Sequence, residues 1–184
     1  MRFNVAQLIK GPTGSSRKFE LNEDIRHLDP AIDPKSPLRG RLTLMRTLQG
    51  ILATGTLRVT LRLECRRCLE PYNAKVRLQL EEEFLPALRI DNAPIDAVPD
   101  EDQDLALLID AEHMLDLSEV IRQGLLLASS TPGLCRSDCL GLCPQCGGNR
   151  NLGECTCDTA PIDPRWTALQ ALLSDVADSQ EGSE

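Results

Sequence analysis

The sequence predicts an α+β protein built on an antiparallel β-sheet, with two or three helices and a cysteine-rich segment near the C-terminus. Three observations support this class. Apolar and polar residues alternate through much of the first half, a helical apolar stripe lies near residue 120, and eight cysteines stand in four close pairs. The 184 residues, 41% of them hydrophobic, suffice for one core and a small appendage.

The N-terminal part is predicted to contain short strands and turns. Residues 5–9 and 18–21 read as strands, and the glycines and proline between them predict a turn. Three prolines within residues 26–37 predict a loop. From residue 42 the pattern has a period of two, which predicts strands over 42–48 and 51–53.

The clearest β-pattern is a hairpin. Apolar residues alternate with polar ones from Leu57 to Cys65, and the same alternation returns from residue 75 to residue 81 after the turn ERRCLEPY. An antiparallel sheet with one solvated face fits this pattern. If the two strands pair, Arg58, Arg62 and Arg77 share the solvated face.

Helices are predicted beyond an acidic loop over residues 91–104 and a strand over 105–110. The first spans 117–129, where Asp116 and Glu119 have the spacing of a capping box. The chain therefore divides into a β-rich core, a cysteine-rich segment, a C-terminal helix that packs on the core and a frayed tail. Their predicted bounds are 1–130, 131–160, 161–177 and 178–184.

Charge is distributed unevenly along the chain. Residues 1–77 hold 15 Lys and Arg against 7 Asp and Glu, whereas residues 78–184 hold 5 against 21, which leaves a net charge of −8. A basic face for phosphate or RNA would explain the first half. Charge alone favours the alternative, in which the two halves compensate each other within the fold, because charge runs are usually solvated faces. The candidate RNA-binding residues are Arg58, Arg62, Arg66, Arg67 and Arg77.

The cysteines indicate metal binding. No apolar leader opens the chain, so we expect a cytoplasmic protein in a reducing compartment, where closely paired cysteines are more often metal ligands than disulfides. Four thiolates complete a tetrahedral zinc site. The segment CPQCGG has the form of a zinc knuckle, and the following Cys-Thr-Cys can fold back onto it. Site one is therefore predicted to consist of Cys143, Cys146, Cys155 and Cys157, in a zinc-ribbon-like segment.

The other four cysteines predict a second site of less certain pairing, which would leave the chain with one or two structural zinc ions. It would combine the pair in the hairpin turn with the pair that precedes site one: Cys65, Cys68, Cys135 and Cys139. An alternative partition joins Cys135 and Cys139 to Cys143 and Cys146.

The sequence offers little for catalysis. All-thiolate zinc sites are normally closed and structural, and a catalytic zinc keeps an open position. The two histidines are not followed by x-Glu as zinc deaminases require, and no phosphate loop or nucleophile elbow is present. No run of about 18 apolar residues predicts a membrane span. With aromatic residues at 3%, any RNA contact should be mainly to phosphate and shape.

Several motifs together resemble the YceD family of large ribosomal RNA subunit accumulation proteins. They are GILATGTLRVTLRLECRRCLEPY, DLSEVIRQGLLLASSTPGLC and the cysteine-rich segment with the DPRW that follows it, and the resemblance covers roughly residues 40–176. It implies a role in accumulation or processing of large-subunit ribosomal RNA. It supplies no catalytic residues.

Three hypotheses follow. The first is a non-enzymatic ribosome-biogenesis factor whose partners are large-subunit ribosomal RNA, ribosomal proteins or both, with no membrane and no small-molecule substrate. The second is a regulator whose thiolates release zinc on oxidation. The third, a hydrolytic enzyme such as a nuclease, ranks far behind because no open metal site or histidine pair is present.

Overall fold

The chain is represented by a computed structural model that describes residues 1–87, 105–131, 133–153, 155–157 and 165. The predicted loop 91–104 and tail 178–184 lie outside the described residues, as does the predicted helix 161–177 except for residue 165. The chain forms two compact units, Met1–Ser137 and Asp138–Glu184.

A five-stranded sheet forms the centre of the first unit. Its order follows the sequence, and the first four strands are antiparallel, as predicted, whereas the short last strand runs parallel to its neighbour. The strands are β2 (Ser16–Glu23), β3 (Leu38–Arg46), β4 (Ile51–Glu64), β5 (Pro71–Pro86) and β6 (Leu108–Ile109).

The predicted hairpin is present as β4 and β5. The two stretches 51–53 and 57–65, which the sequence pattern separated, belong to one strand of 14 residues. Gly55 interrupts the alternation without interrupting the strand, because β3 and β5 continue to pair on either side of it. Backbone hydrogen bonds to both neighbouring strands thus keep Gly55 within β4, although glycine has no side chain to pack.

A smaller sheet pairs β1 (Arg2–Asn4) with β7 (Met114–Asp116). The strand predicted over residues 5–9 is wrong, since helix α1 (Ala6–Ile9) lies there. The physical reason is the spacing of the buried side chains. Val5, Leu8 and Ile9 are all buried, and their i, i+3, i+4 spacing is that of one helical face.

Helix α2 (Ser118–Ser130) covers part of the core face of the sheet. Ile121 and Leu125 are fully buried, and α2 approaches β5 closely at Gly124, where a Cβ atom would lie 2.5 Å from Leu78 Cδ1. The predicted capping box forms only in part. The Asp116 carboxylate accepts a hydrogen bond from the Ser118 amide at 2.9 Å, but Glu119 pairs with residues further along the helix.

The strand predicted over 105–110 needs correction, whereas the loop predicted over 26–37 is confirmed. The strand is confined to β6, because a 3-10 turn occupies Leu105–Leu107. Part of the loop over 26–37 pairs with β4 through an isolated bridge between Pro34 and Leu61. The Lys35 amide donates to Thr60 O at 2.7 Å, and the Arg62 amide donates to Asp33 O at 2.8 Å. The end of β4 thereby gains a partner beyond Leu38, the residue at which β3 begins.

The alternation of residues gives the sheet one buried and one solvated face. Leu57, Val59 and Leu61 of β4 are buried, whereas Arg58 and Arg62 between them are exposed. Of the helices in the described part of the chain, none is long and apolar enough to cross a membrane.

Candidate metal sites and a basic face of the sheet

Two groups of four cysteines could each hold a metal ion. Within each group the sulfur atoms all lie within 4.8 Å of one another. The structure groups the thiols in the two sets of four named from the spacing, and not in the alternative partition. The groups are Cys65, Cys68, Cys135 and Cys139, called here the hairpin group, and Cys143, Cys146, Cys155 and Cys157, called the C-terminal group.

The hairpin group begins in the turn between β4 and β5. The Cys65 amide donates to Glu70 O at 2.9 Å, and the Leu69 amide donates back to Cys65 O at 2.8 Å. This turn places Cys65 and Cys68 on the same side of the chain. Leu69, directly after the second cysteine, adopts a positive φ of 61°, which is uncommon for a residue with a Cβ atom.

The C-terminal group begins with a turn of the same construction. The Cys143 amide donates to Gly148 O at 2.9 Å, and the Gly147 amide donates to Cys143 O at 2.9 Å. Gly147, directly after Cys146, has a φ of 74°. The two Cys-x-x-Cys turns therefore share one backbone pattern, although only the second carries the glycine that such a turn favours.

The Cys65 thiol of the hairpin group lies in an environment that favours the thiolate. Burial raises the pKa of Cys65, but backbone N–H groups of Cys135, Cys68 and Arg67 outweigh it and lower that pKa to about 6. The sulfur atoms of Cys68 and Cys135 are 3.7 Å apart. A cation shared by these sulfurs would stabilise the remaining thiolates, because a bound metal ion deprotonates its thiol ligands.

In the C-terminal group the pKa of one thiol is lowered and the pKa values of two others are raised. Backbone N–H groups of Cys146 and Gln145 lower the pKa of Cys143 to about 6. Hydrogen bonds to Cys146 and Cys155 raise the pKa of Cys157 to about 12, and its neighbour Cys143 raises that of Cys155. One thiolate thus keeps its neighbours protonated. A divalent ion would supply the positive charge that allows all four to ionise, so the donor set fits zinc.

The two groups differ in exposure. In the hairpin group, Cys65, Cys68 and Cys139 are buried, with Cys135 half-buried. In the C-terminal group, Cys146 and Cys157 are exposed. A chelator or oxidant would therefore meet the sulfurs of the C-terminal group first.

Two asparagines near the cysteines were not identified from the sequence. The Asn151 side-chain amide donates to Cys139 Sγ at 3.4 Å, and its oxygen accepts from the Leu140 amide at 2.8 Å. Asn149 is buried, and its oxygen accepts two hydrogen bonds from Asn151. These amides orient the backbone around a metal ligand, as outer-shell groups commonly do. The alternating asparagines of GNRN are the only sequence signal.

The solvated face of the main sheet carries a set of cations, called here the basic face. The strand register places Arg39 opposite Arg58 and Arg58 opposite Arg77, so that three arginines form one row across β3, β4 and β5. All six members of the basic face are exposed: Arg39, Arg41, Arg58, Arg62, Lys75 and Arg77.

These cations form few direct contacts with carboxylates, although Glu20 on β2 lies directly opposite Arg41. Among the described residues, no carboxylate forms an ion pair with any member of the basic face. Arg39 Nε donates to the neutral Asn22 side chain at 2.9 Å. An open groove of about 1170 Å³ runs over this region, lined among others by Thr56 and Thr60.

The candidate RNA-binding residues fall into two places. Arg58, Arg62 and Arg77 lie on the basic face, whereas Arg66 and Arg67 are exposed in the cysteine turn beyond the strands. Sequence reasoning did not select Arg39, Arg41 and Lys75 as site residues. Arg39 and Arg41 join the face only through the pairing of β3 with β4, which local patterning does not reveal.

Comparison with known proteins gives a consistent result. The profile of the family described as "Large ribosomal RNA subunit accumulation protein YceD" matches residues 53–173. Uncharacterized proteins of Mycobacterium tuberculosis and Mycobacterium bovis are each 31% identical over 83% of this chain and 70% of their own length. An uncharacterized protein of Mycobacterium leprae is 28% identical over 79% of this chain and 64% of its own length. No solved structure matches.

Proposed function

The chain belongs to the YceD family of large ribosomal RNA subunit accumulation proteins, and we propose that it acts in this role as a non-enzymatic, zinc-stabilised factor that contacts the ribosomal RNA directly. The family membership implies the role in accumulation. Direct contact, the absence of catalysis and the identity of the metal are the parts proposed here.

The row of Arg39, Arg58 and Arg77 carries the proposal of direct RNA contact. Like charges placed directly opposite one another across a sheet oppose folding, and this row contains two such contacts in succession. A bound polyanion would neutralise them. Phosphate groups are the natural counter-charge, since arginine forms bidentate hydrogen bonds with phosphate oxygens.

The two cysteine groups are assigned a structural role. Each supplies four thiol ligands, which is the full coordination of a tetrahedral zinc ion. No ligand position then remains for a reacting water. The metal ions, when bound, would supply the charge that holds four thiolates together, and the chain's own turns at Cys65 and Cys143 position those thiolates.

The proposed setting is the cytoplasm, where the large ribosomal subunit assembles. Ribosomal proteins are the alternative partners, because the residues from 78 onwards hold 21 Asp and Glu against 5 Lys and Arg. Such an acidic segment could attract basic ribosomal proteins. Contact through a protein partner would leave the basic face without effect on function.

The proposal is tested in cells from which the gene for this chain has been deleted. We expect the ratio of large-subunit to small-subunit ribosomal RNA to fall and to return when the wild-type chain is supplied. The double variant Arg58→Gln/Arg77→Gln should restore the ratio poorly. The matched control is Lys10→Gln/Arg17→Gln, which removes the same number of charges from exposed positions outside the basic face and should restore it fully.

Each result has a distinct meaning. A ratio unaffected by deletion would contradict the role in accumulation for this chain. Full restoration by the Arg58→Gln/Arg77→Gln variant would contradict RNA contact through the basic face and would favour a protein partner. Crosslinking of the tagged chain to RNA in cells, followed by its purification and sequencing of the attached RNA, would distinguish direct RNA contact from contact through a protein.

The exposure of the C-terminal group favours one second candidate, a thiol-based regulator that releases zinc on oxidation. Cys146 and Cys157 are exposed to an oxidant in the way that redox-sensing thiols are. Mild peroxide should then expel one zinc ion per chain, and a thiol reductant with added zinc should restore it. Zinc retained under peroxide would exclude this candidate.

A further inference from the structure

The basic face is too large for a single small anion. Neighbouring strands lie about 4.8 Å apart, so the arginine row spans roughly 10 Å across three strands. Along β4, the positions from Thr56, which faces Arg41, to Arg62 cover about 20 Å at 3.3 Å per residue. Five of the six cations line the open groove of about 1170 Å³ and are spread along it, which leaves room for more than one phosphate group. This arrangement fits an extended polyanion.

The face also carries hydroxyl groups between the cations. Thr56 and Thr60 flank Arg58 along β4, and Thr60 lies opposite Lys75. Hydroxyl groups can both donate and accept hydrogen bonds, so they can contact phosphate oxygens and ribose 2′-hydroxyls alike. The combination of cations and hydroxyls suits a sugar–phosphate backbone.

The face lacks the groups on which unpaired bases stack. Among the described aromatic residues, Phe3 and Phe19 contact each other, Phe84 is fully buried, and the Tyr72 hydroxyl accepts from the Gly133 amide at 2.9 Å. Proteins that bind single-stranded RNA usually provide aromatic side chains for its bases. Base-paired RNA hides its bases and presents phosphates and 2′-hydroxyls.

We propose that the basic face binds the sugar–phosphate backbone of a base-paired RNA segment, in preference to single-stranded RNA. The proposal rests on the proposed function, which leaves the form of the RNA open. It predicts recognition by shape and charge with little dependence on base sequence. Arg39, Arg58 and Arg77 would contact phosphates, and the threonines between the cations would contact ribose hydroxyls.

The test measures binding of the full-length, zinc-loaded protein by fluorescence anisotropy. The probes are one RNA duplex, each of its strands alone and the DNA duplex of the same sequence, all over a series of salt concentrations. We expect the RNA duplex to bind about tenfold or more tightly than either strand, a difference of about 1.4 kcal/mol, because a duplex presents a denser array of phosphates than a single strand does.

The charge variants also test which residues contact the duplex. Arg58→Gln/Arg77→Gln should reduce the slope of log affinity against log salt by about 1.4 to 1.8 for the duplex, one step of about 0.7–0.9 for each of the two lost phosphate contacts. Lys10→Gln/Arg17→Gln should leave the slope unchanged. Circular dichroism should show the same sheet content in both variants.

Several results would overturn the inference. Single strands that bind as tightly as the duplex would contradict it while leaving the proposed function intact, and so would equal binding of the DNA duplex, because the 2′-hydroxyl contacts would then contribute nothing. An equal loss of affinity in the control variant would show that the RNA is attracted by the overall positive charge of the surface and not by the basic face. Absence of binding to every probe, with ribosomal RNA accumulation still dependent on the chain, would indicate a protein partner.

Discussion

Arg58 and Arg77 face each other directly across the antiparallel pair of β4 and β5, and both side chains are exposed. Arg39 continues the row on the other side of Arg58. Two like-charged neighbours oppose the pairing of strands whose opposite face is buried in the core. The basic face therefore lowers the free energy of unfolding, and this effect can be measured in the absence of RNA.

Replacement of Arg77 by Gln should stabilise the protein. It removes one like-charge contact, so we expect the free energy of unfolding to rise by about 0.2–1 kcal/mol. Urea denaturation at low salt measures this change, and added salt should reduce it by screening the charges. Arg17→Gln is the control, because Arg17 faces Leu44 and not another cation. A destabilised Arg77→Gln variant would contradict the argument.

Loss of one thiol ligand should remove one metal ion. We expect two zinc ions per chain in the wild type, one in Cys143→Ser and one in Cys65→Ser, as measured by atomic emission. Structural zinc contributes on the order of 10 kcal/mol in small domains. The Cys143→Ser variant should therefore lose the ordered backbone around Cys143–Cys157, visible in amide exchange. A variant that keeps both ions would refute the ligand assignment.

A chelator should remove the two ions at different rates. The C-terminal group should lose its ion first because Cys146 and Cys157 are exposed, whereas three of the four cysteines of the hairpin group are buried. A metal-sensitive dye should record a fast and a slow phase of equal amplitude. The Cys143→Ser variant should retain only the slow phase. A single phase in the wild type would show that exposure does not control release.

The two cysteine turns should respond oppositely to exchange of their left-handed residues. Leu69 is 59% exposed and has a φ of 61°, so Leu69→Gly should relieve backbone strain with little loss of packing. We expect the free energy of unfolding to be unchanged or higher by up to about 1 kcal/mol.

Gly147→Ala should lower the free energy of unfolding by about 1 kcal/mol, although no atom lies within 4 Å of the added Cβ. Thermal unfolding of zinc-loaded protein checks both, and a strongly destabilised Leu69→Gly variant would indicate a packing role for that leucine.

Acid should weaken one ion-pair cluster on α2. Hydrogen bonds from Arg122 and Gln123 lower the pKa of Glu119 from 4.5 to about 2, and Arg122 also donates to Asp29 at 2.9 Å. A carboxyl group with a lowered pKa stabilises the fold above its unfolded pKa, and this contribution is lost as pH falls from about 4.5 to about 2.

The Arg122→Gln variant should therefore lose less stability than the wild type on acidification. Urea midpoints at neutral pH and at about pH 3 measure the difference. The Arg17→Gln variant is the comparison, because it removes one positive charge from an exposed position that forms no ion pair within the described part of the chain. Equal acid sensitivity of wild type and Arg122→Gln would exclude the cluster as a source of pH dependence.

The sequence predicted the elements whose signal is local. The β4–β5 hairpin followed from strict alternation, and α2 followed from its apolar stripe, because each pattern reports directly which side of an element is buried. Residues 5–9 were misread, since a four-residue helix offers too few positions to distinguish its period from that of a strand. The continuity of β4 through Gly55 was not predicted either, because the backbone hydrogen bonds that maintain the strand there are made with β3 and β5, which a local pattern does not reveal.

The sequence alone determined which residues could bind metal or phosphate. Cysteine spacing favoured two sets of four thiols and left an alternative partition open, and alternation placed Arg58 and Arg62 on one face of a strand. Only the tertiary structure decided that Arg39 lies beside Arg58 and that Cys135 approaches Cys68. The reason is that strand register and loop closure depend on the packing of a core shared by distant segments, and a local pattern contains no information about which distant segment becomes the neighbour.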